Sequence, residues 1–149
     1  MKVKKPVTIV IADDDAEDRM MIVDALKELR LSNPMVEVEN GEELMDCLHR
    51  RGKFAAPVAS PLPGLILLDL NMPKLDGREA LKEIKQDPEL RKIPVVVLTT
   101  SKSEEDVLRS YDVGANSFIV KPVTYGGFVD AMRGLGRYWF EIVEIPYVE

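Results

Sequence analysis

The sequence is short of the residues that would cross-link it or drive it into a bilayer. There is one cysteine, Cys47, so no intramolecular disulfide can form and a reducing compartment fits. There is one histidine, His49, which reads as an exposed helix residue. No apolar run approaches the ~20 residues of a membrane-spanning helix. The apolar stretch Val7–Ala12, behind Lys2, Lys4 and Lys5, stops at Asp13-Asp14-Asp15 and is too short and too acidic behind for a secretion signal. Positive charge is not in excess: 20 basic against 26 acidic residues leave a net charge of -6, which argues against a nucleic-acid surface as the main partner. These absences point to a soluble cytoplasmic protein with neither nucleic acid nor membrane as partner. What is present is ordinary for a globular chain, with 46% hydrophobic and 31% charged residues among 149. No composition break or repeat divides it, so residues 1–149 are expected to form one domain, with a core over about 7–142 and short terminal extensions.

Apolar runs alternate with amphipathic stretches along the chain. Val7–Ala12 reads as a buried strand. A helix follows over 16–29, with Ile22, Ala25, Leu26 and Leu29 on one face, Asp15 as its N-cap, and Glu17 and Asp18 at the positive end of its dipole. Ser32-Asn33-Pro34 ends it. Val36 and Val38 alternate with Glu37 and Glu39 as a second strand. Asn40-Gly41 turns into a helix carrying Leu44, Met45 and Leu48. Residues 52–64, with Pro57, Pro61 and Pro63, form a long loop, either an insertion with a contact role or a mobile segment.

Leu65-Ile66-Leu67-Leu68 then reads as a strand buried on both faces, ending in Asp69-Leu70-Asn71-Met72-Pro73. A helix is predicted over 77–86 with Ala80, Leu81 and Ile84 inward, and a fourth strand over 94–98, ending in Thr99-Thr100-Ser101. Ser103 caps the next helix, with Val107, Leu108 and Tyr111 expected inward and Gly114 as its stop. Residues 118–121 form a fifth strand before Pro122, and a last helix over 124–142 carries Phe128, Met132, Leu135, Trp139 and Ile142. Tyr138, Trp139 and Phe140 are consecutive and cannot all face the core, so an interface is expected there. Gly126, Gly127, Gly134 and Gly136 either permit close helix contact or loosen this helix.

Five strands alternating with five helices imply an α/β fold, a doubly wound parallel sheet in the flavodoxin-like order 2-1-3-4-5. That order puts the ends of the first and third strands at a switch point, where Asp13, Asp14 and Asp69 converge. A buried aspartate is costly unless paired or holding a metal. Clustered carboxylates suit Mg²⁺, and Thr99 and Lys121 add a hydroxyl and a cation at the same rim. Such a set fits phosphoryl transfer, with Asp69 as nucleophile.

Asp13-Asp14, Asp69 with Asn71-Met72-Pro73, Asp76-Gly77, Thr99 and Lys121-Pro122 stand in the order and spacing of one family. The chain resembles the receiver domains of two-component response regulators over about 7–142. The resemblance implies an aspartyl phosphate on Asp69, taken from a sensor histidine kinase. It also implies Mg²⁺ held by Asp14, Asp69 and the backbone carbonyl of Asn71, with Asp13 acting largely through water. Thr99 and Phe118 are implied as a switch pair, Lys121 as the phosphate-binding cation, and Pro73, Gly77 and Pro122 as loop-shaping residues, with a cis Lys121–Pro122 peptide. Within the family the chain is most similar to stand-alone regulators paired with bacterial phytochromes, through residues 68–73, Asp76-Gly77-Arg78-Glu79, 93–101 and the ending 138–143. The partners so implied are the kinase, a downstream protein and a second copy of the chain through the last helix.

The chain departs from the common pattern at Thr100, where most receivers carry Ala or Gly, and in the long 52–64 loop. Two other functions compete with a phosphoacceptor that is not itself an enzyme. An aspartyl-phosphate phosphohydrolase would want an Asp-x-Asp-x-Thr motif, which neither acidic segment supplies. A receiver-like docking module acting without phosphorylation would not need the intact acidic site.

Overall fold

The computed structural model describes residues 7–28, 33–55, 62–100 and 103–139. The expectations placed on Leu29, Ser32, Pro57, Pro61, Ser101, Phe140 and Ile142 lie outside those residues. Strands β1 (Ile9–Ala12), β2 (Met35–Val38), β3 (Leu65–Leu68), β4 (Val95–Thr99) and β5 (Ser117–Val120) alternate with helices α1 (Ala16–Glu28), α2 (Gly41–Leu48), α3 (Gly77–Gln86), α4 (Glu104–Val113) and α5 (Tyr125–Arg137). The strands pair in parallel in the order β2-β1-β3-β4-β5, so the flavodoxin-like order read from the alternation is the observed one. Single 3₁₀ turns lie at Gly52–Phe54 and Leu90–Lys92.

Period-two alternation in the strands divides the core in two. Val10, Ala12, Ile66, Leu68, Val95 and Val97 face Leu44, Met45 and Leu48 of α2 and Ala80, Leu81 and Ile84 of α3. The intervening Ile9, Ile11, Leu65, Leu67, Val96 and Leu98 face Ile22, Ala25 and Leu26 of α1 and Phe128, Met132, Leu135 and Trp139 on or just beyond α5. Both faces of β1, β3 and β4 are therefore covered, which explains their uninterrupted aliphatic runs. Side-chain caps start the helices where the sequence placed them: Asp15 accepts from the Glu17 and Asp18 N–H groups, Asn40 from Glu43, Asp76 from Arg78, and Ser103 from Asp106. Gly114 ends α4 at a φ of 126°, a conformation that disfavours any side chain.

The face of α4 is a correction. Leu108 and Tyr111, expected inward, are 66% and 50% exposed, while Ser110 is buried and Asp106, Val107 and Val113 are half-buried. The helix settles on the face that lets Asp106 pair with α3 and Val113 reach the core, so its larger apolar side chains point outward. Apolar spacing alone cannot see an ion pair that sets the rotation of a helix. At the last helix, Trp139 is buried and Tyr138 stands half exposed, edge-on to it at 5.6 Å. A Cβ at Gly126 or Gly134 would meet open space, so close helix contact is not the reason for either glycine.

Candidate functional site

The site lies at the carboxyl edge of the sheet, and backbone pairing just beyond each strand fixes its members. Asp13 N–H donates to Val38 O at 3.1 Å, Asp69 N–H to Ala12 O at 2.9 Å, and Lys121 N–H to Thr99 O at 2.8 Å. The ladder thus runs one residue past the apolar runs and carries three polar side chains to one rim. Asp13, Asp69, Thr99 and Lys121 are all buried, whereas Asp14 and Asn71 are exposed.

The two buried carboxylates are held alike. One oxygen of Asp13 accepts from the Asp15 N–H at 2.9 Å, and one oxygen of Asp69 from the Asn71 N–H at 3.1 Å. Their other oxygens face the Lys121 ammonium, at 2.5 Å from Asp13 and 3.2 Å from Asp69. The third Lys121 contact is Asp18 on α1, at 2.8 Å. Carboxylate oxygens of Asp13, Asp14 and Asp69 lie within 4.8 Å of one another. Burial pushes the Asp13 carboxyl up to about 6, and the hydrogen bonds from Lys121 and Asp15 do not offset it. Burial by itself would lower the Lys121 ammonium, but its bonds to Asp13 and Asp18 raise it well above the ordinary lysine range.

The rim continues outward through Asn71. Its side-chain N–H donates to Thr99 Oγ1 at 3.4 Å, and its Oδ1 accepts from Arg78 at 3.4 Å. Arg78 forks onto Asp106 of α4 with two bonds of 2.7 Å. Gly77 lets α3 start against this loop: its N–H donates to Leu70 O at 2.9 Å, and a Cβ there would stand 2.1 Å from the Asp69 carbonyl oxygen. Beside Lys121 a cleft of about 360 Å³ is lined by Asp18, Met21, Thr100, Pro122, Val123 and Phe128. Phe118 lies half-buried on β5, its N–H donating to the Tyr111 hydroxyl at 3.2 Å. Pro73 is exposed in the loop after β3.

The geometry corrects one expectation and adds two residues. There is no cis peptide bond among the described residues, so Lys121–Pro122 is trans, the isomer favoured for an X–Pro bond by about 0.5–1 kcal/mol. Lys121 reaches its carboxylates from that trans backbone. Asp18 reads only as a helix-dipole residue, although the first turn of α1 follows directly on the acidic loop at Asp13 and Asp14. The fork from Arg78 to Asp106 had no local signal, because the two lie 28 residues apart.

Residues 9–133 match the family described as Response regulator receiver domain, and the chain belongs to that family. Over 141 residues it is 38% identical to Response regulator Rcp1 of Synechocystis sp., covering 95% of this chain and 94% of that protein. The crystal structure of the Mn(2+)-bound form of Rcp1 aligns with a TM-score of 0.89 at 38% identity, over 95% of this chain and 99% of that one. The phosphorylated cyanobacterial phytochrome response regulator RcpA aligns with a TM-score of 0.88 at 38% identity and the same coverage. The likeness to phytochrome-associated regulators seen in residues 68–73 and 93–101 thus extends over nearly the whole chain.

Proposed function

We propose that this receiver domain accepts a phosphoryl group on Asp69 from a sensor histidine kinase of the phytochrome type, and works as a single domain in the cytoplasm through protein contact. The observation that carries the reading is the convergence of Asp13, Asp14, Asp69, Thr99 and Lys121 on one rim, with Asp69 buried between Asp13 and the loop to Asn71. In the transfer, an Asp69 carboxylate oxygen attacks phosphorus. A P–O bond forms as the P–N bond to the kinase imidazole breaks, and the departing imidazole keeps the electron pair and takes a proton from solvent. Lys121 faces the developing charge with a fixed ammonium.

The donor set fits a divalent cation. Three carboxylates (Asp13, Asp18 and Asp69) contact one ammonium, Asp14 stands beside Asp13 and Asp69, and the buried Asp13 ionises reluctantly there. Asp13, Asp14 and Asp69, with the backbone carbonyl of Asn71, would hold Mg²⁺, which would supply positive charge to the phosphoryl oxygens. The manganese-bound form of Rcp1 and the phosphorylated form of RcpA support both halves of this reading. Thr99 and Phe118 act as the switch pair, and Asn71 flanks the phosphoryl group and sets how fast water removes it. Pro73, Gly77 and Pro122 shape the loops around it. Leu108, Tyr111, Val120, Val123 and Tyr125 form the exposed apolar side that answers the switch. A downstream protein or a second copy of the chain is its partner.

The test is incubation with Mg²⁺ and a small acyl phosphate, read by intact-protein mass. Wild type is expected to gain one phosphoryl group, and Asp69→Asn none. Undiminished labelling of that variant would overturn the assignment.

A further inference from the structure

Asn71 is tied to the phosphoacceptor by its backbone, yet its exposed side chain is placed by other residues. Its N–H bonds to Asp69 Oδ1, which fixes the loop. Its amide is bracketed by Thr99 on one side and by the Arg78 guanidinium on the other. The three contacts on the amide, one to Thr99 and two from Arg78, are long at 3.4 Å each, so the stiffness of the bracket depends on what holds Arg78. That hold is strong. Nε and Nη2 lie 2.7 Å from the two oxygens of Asp106, the paired geometry that makes arginine–carboxylate contacts both tight and directional. Nη1 adds a bond of 3.1 Å to Asp76, the N-cap of α3. The Asp106 side chain is only 14% exposed, so salt screens the pair less than a surface one. Asp106 and Asp76 together raise Arg78 above even the usual arginine range, so it stays cationic at any working pH.

We propose that Arg78 is a positioning residue for the phosphoryl chemistry at Asp69: pinned by Asp106 of α4, it holds the Asn71 amide across the mouth of the site and so prolongs the aspartyl phosphate. The inference rests on the reading of Asp69 as phosphoacceptor. Dephosphorylation needs a water oxygen to reach phosphorus from the open side. The new O–P bond forms as the bond from phosphorus to the Asp69 oxygen breaks, releasing inorganic phosphate and restoring the carboxylate. An amide fixed at that mouth obstructs the approach. An amide released from Arg78 swings with the solvent-facing loop and clears it. The same bracket ties α4 to the site, so a partner that displaces the first turn of α4 shortens the phosphoryl lifetime.

The experiment uses the full chain, labelled with a small acyl phosphate and Mg²⁺, freed of donor, and followed by intact mass for loss of the phosphoryl group. Arg78→Ala is expected to lose it about threefold to tenfold faster than wild type, the range that one hydrogen bond's worth of positioning supplies. Arg78→Lys keeps the charge without the fork and is expected to resemble Arg78→Ala. Asn71→Ala should be fast as well, and the double variant no faster than Asn71→Ala alone, because Arg78 acts through that amide. Asp106→Asn keeps the side-chain shape and weakens the fork, and it carries the same test where Arg78→Ala does not fold. It should shorten the lifetime only when Asn71 is present. A wild-type lifetime in the Arg78 and Asp106 variants would overturn the inference, as would effects of Arg78→Ala and Asn71→Ala that multiply in the double variant. Absence of label on wild type would instead sink the phosphoacceptor reading, and this inference with it.

Discussion

Replacing Asp13 by asparagine should make the metal-free protein more stable, although it removes one end of a buried ion pair. Asp13 is 2% exposed, and burial pushes its carboxyl from 3.8 up to about 6 against the pull of Lys121 at 2.5 Å. The folded chain therefore holds this proton more tightly than the unfolded chain does. Stability from this group is highest below about pH 4 and is lost as pH rises toward about pH 6. Above that the ionised side chain costs on the order of 3 kcal/mol, about two pKa units at 1.36 kcal/mol each. Asparagine keeps the shape and cannot ionise. In chelator at about pH 8, Asp13→Asn should gain roughly 1–3 kcal/mol, and Tm should rise by about 2–4 °C per kcal/mol. The gap should close near about pH 4, where wild type is protonated as well. Added Mg²⁺ should raise the Tm of wild type and leave the variant almost unmoved, because ligand binding stabilises only the state that binds. Thermal melts across pH, with and without Mg²⁺, decide it. A variant less stable than wild type at about pH 8 in chelator would refute the reasoning, for it would mean that the Lys121 pair outweighs the burial.

Two further predictions concern the scaffold around the site. Gly77→Ala would set a methyl group 2.1 Å from the Asp69 carbonyl oxygen and 2.6 Å from Leu70 Cα, both backbone atoms that cannot turn aside. It should cost roughly 2–4 kcal/mol in urea unfolding and slow labelling of Asp69 as the loop shifts; wild-type values for both would count against the close approach. Leu108→Ala should change stability by less than about 0.5 kcal/mol, whereas Leu81→Ala should cost about 2–5 kcal/mol. Similar costs for the two would place Leu108 inside and reverse the reading of α4.

Much of the fold was legible because local signals agreed with one another. The aliphatic run at Leu65–Leu68, the caps at Asp15 and Ser103, and the helical spacing of Ala80, Leu81 and Ile84 all name the structure they adopt. The candidate rim was legible for a related reason: a polar residue directly after an apolar strand sits at the sheet edge, as Asp13, Asp69 and Lys121 do.

What the sequence could not decide was anything set by residues distant along the chain but close in space. The outward turn of Leu108 and Tyr111, the third carboxylate on Lys121, and the line from Thr99 through Asn71 and Arg78 to Asp106 all belong to this class. Strand and helix periods report the neighbours a residue has within its own element. An ion pair across 28 positions, or a lysine shared by side chains 103 and 108 positions away, exists only once the sheet has ordered its strands. Its strength comes from the burial that packing then imposes.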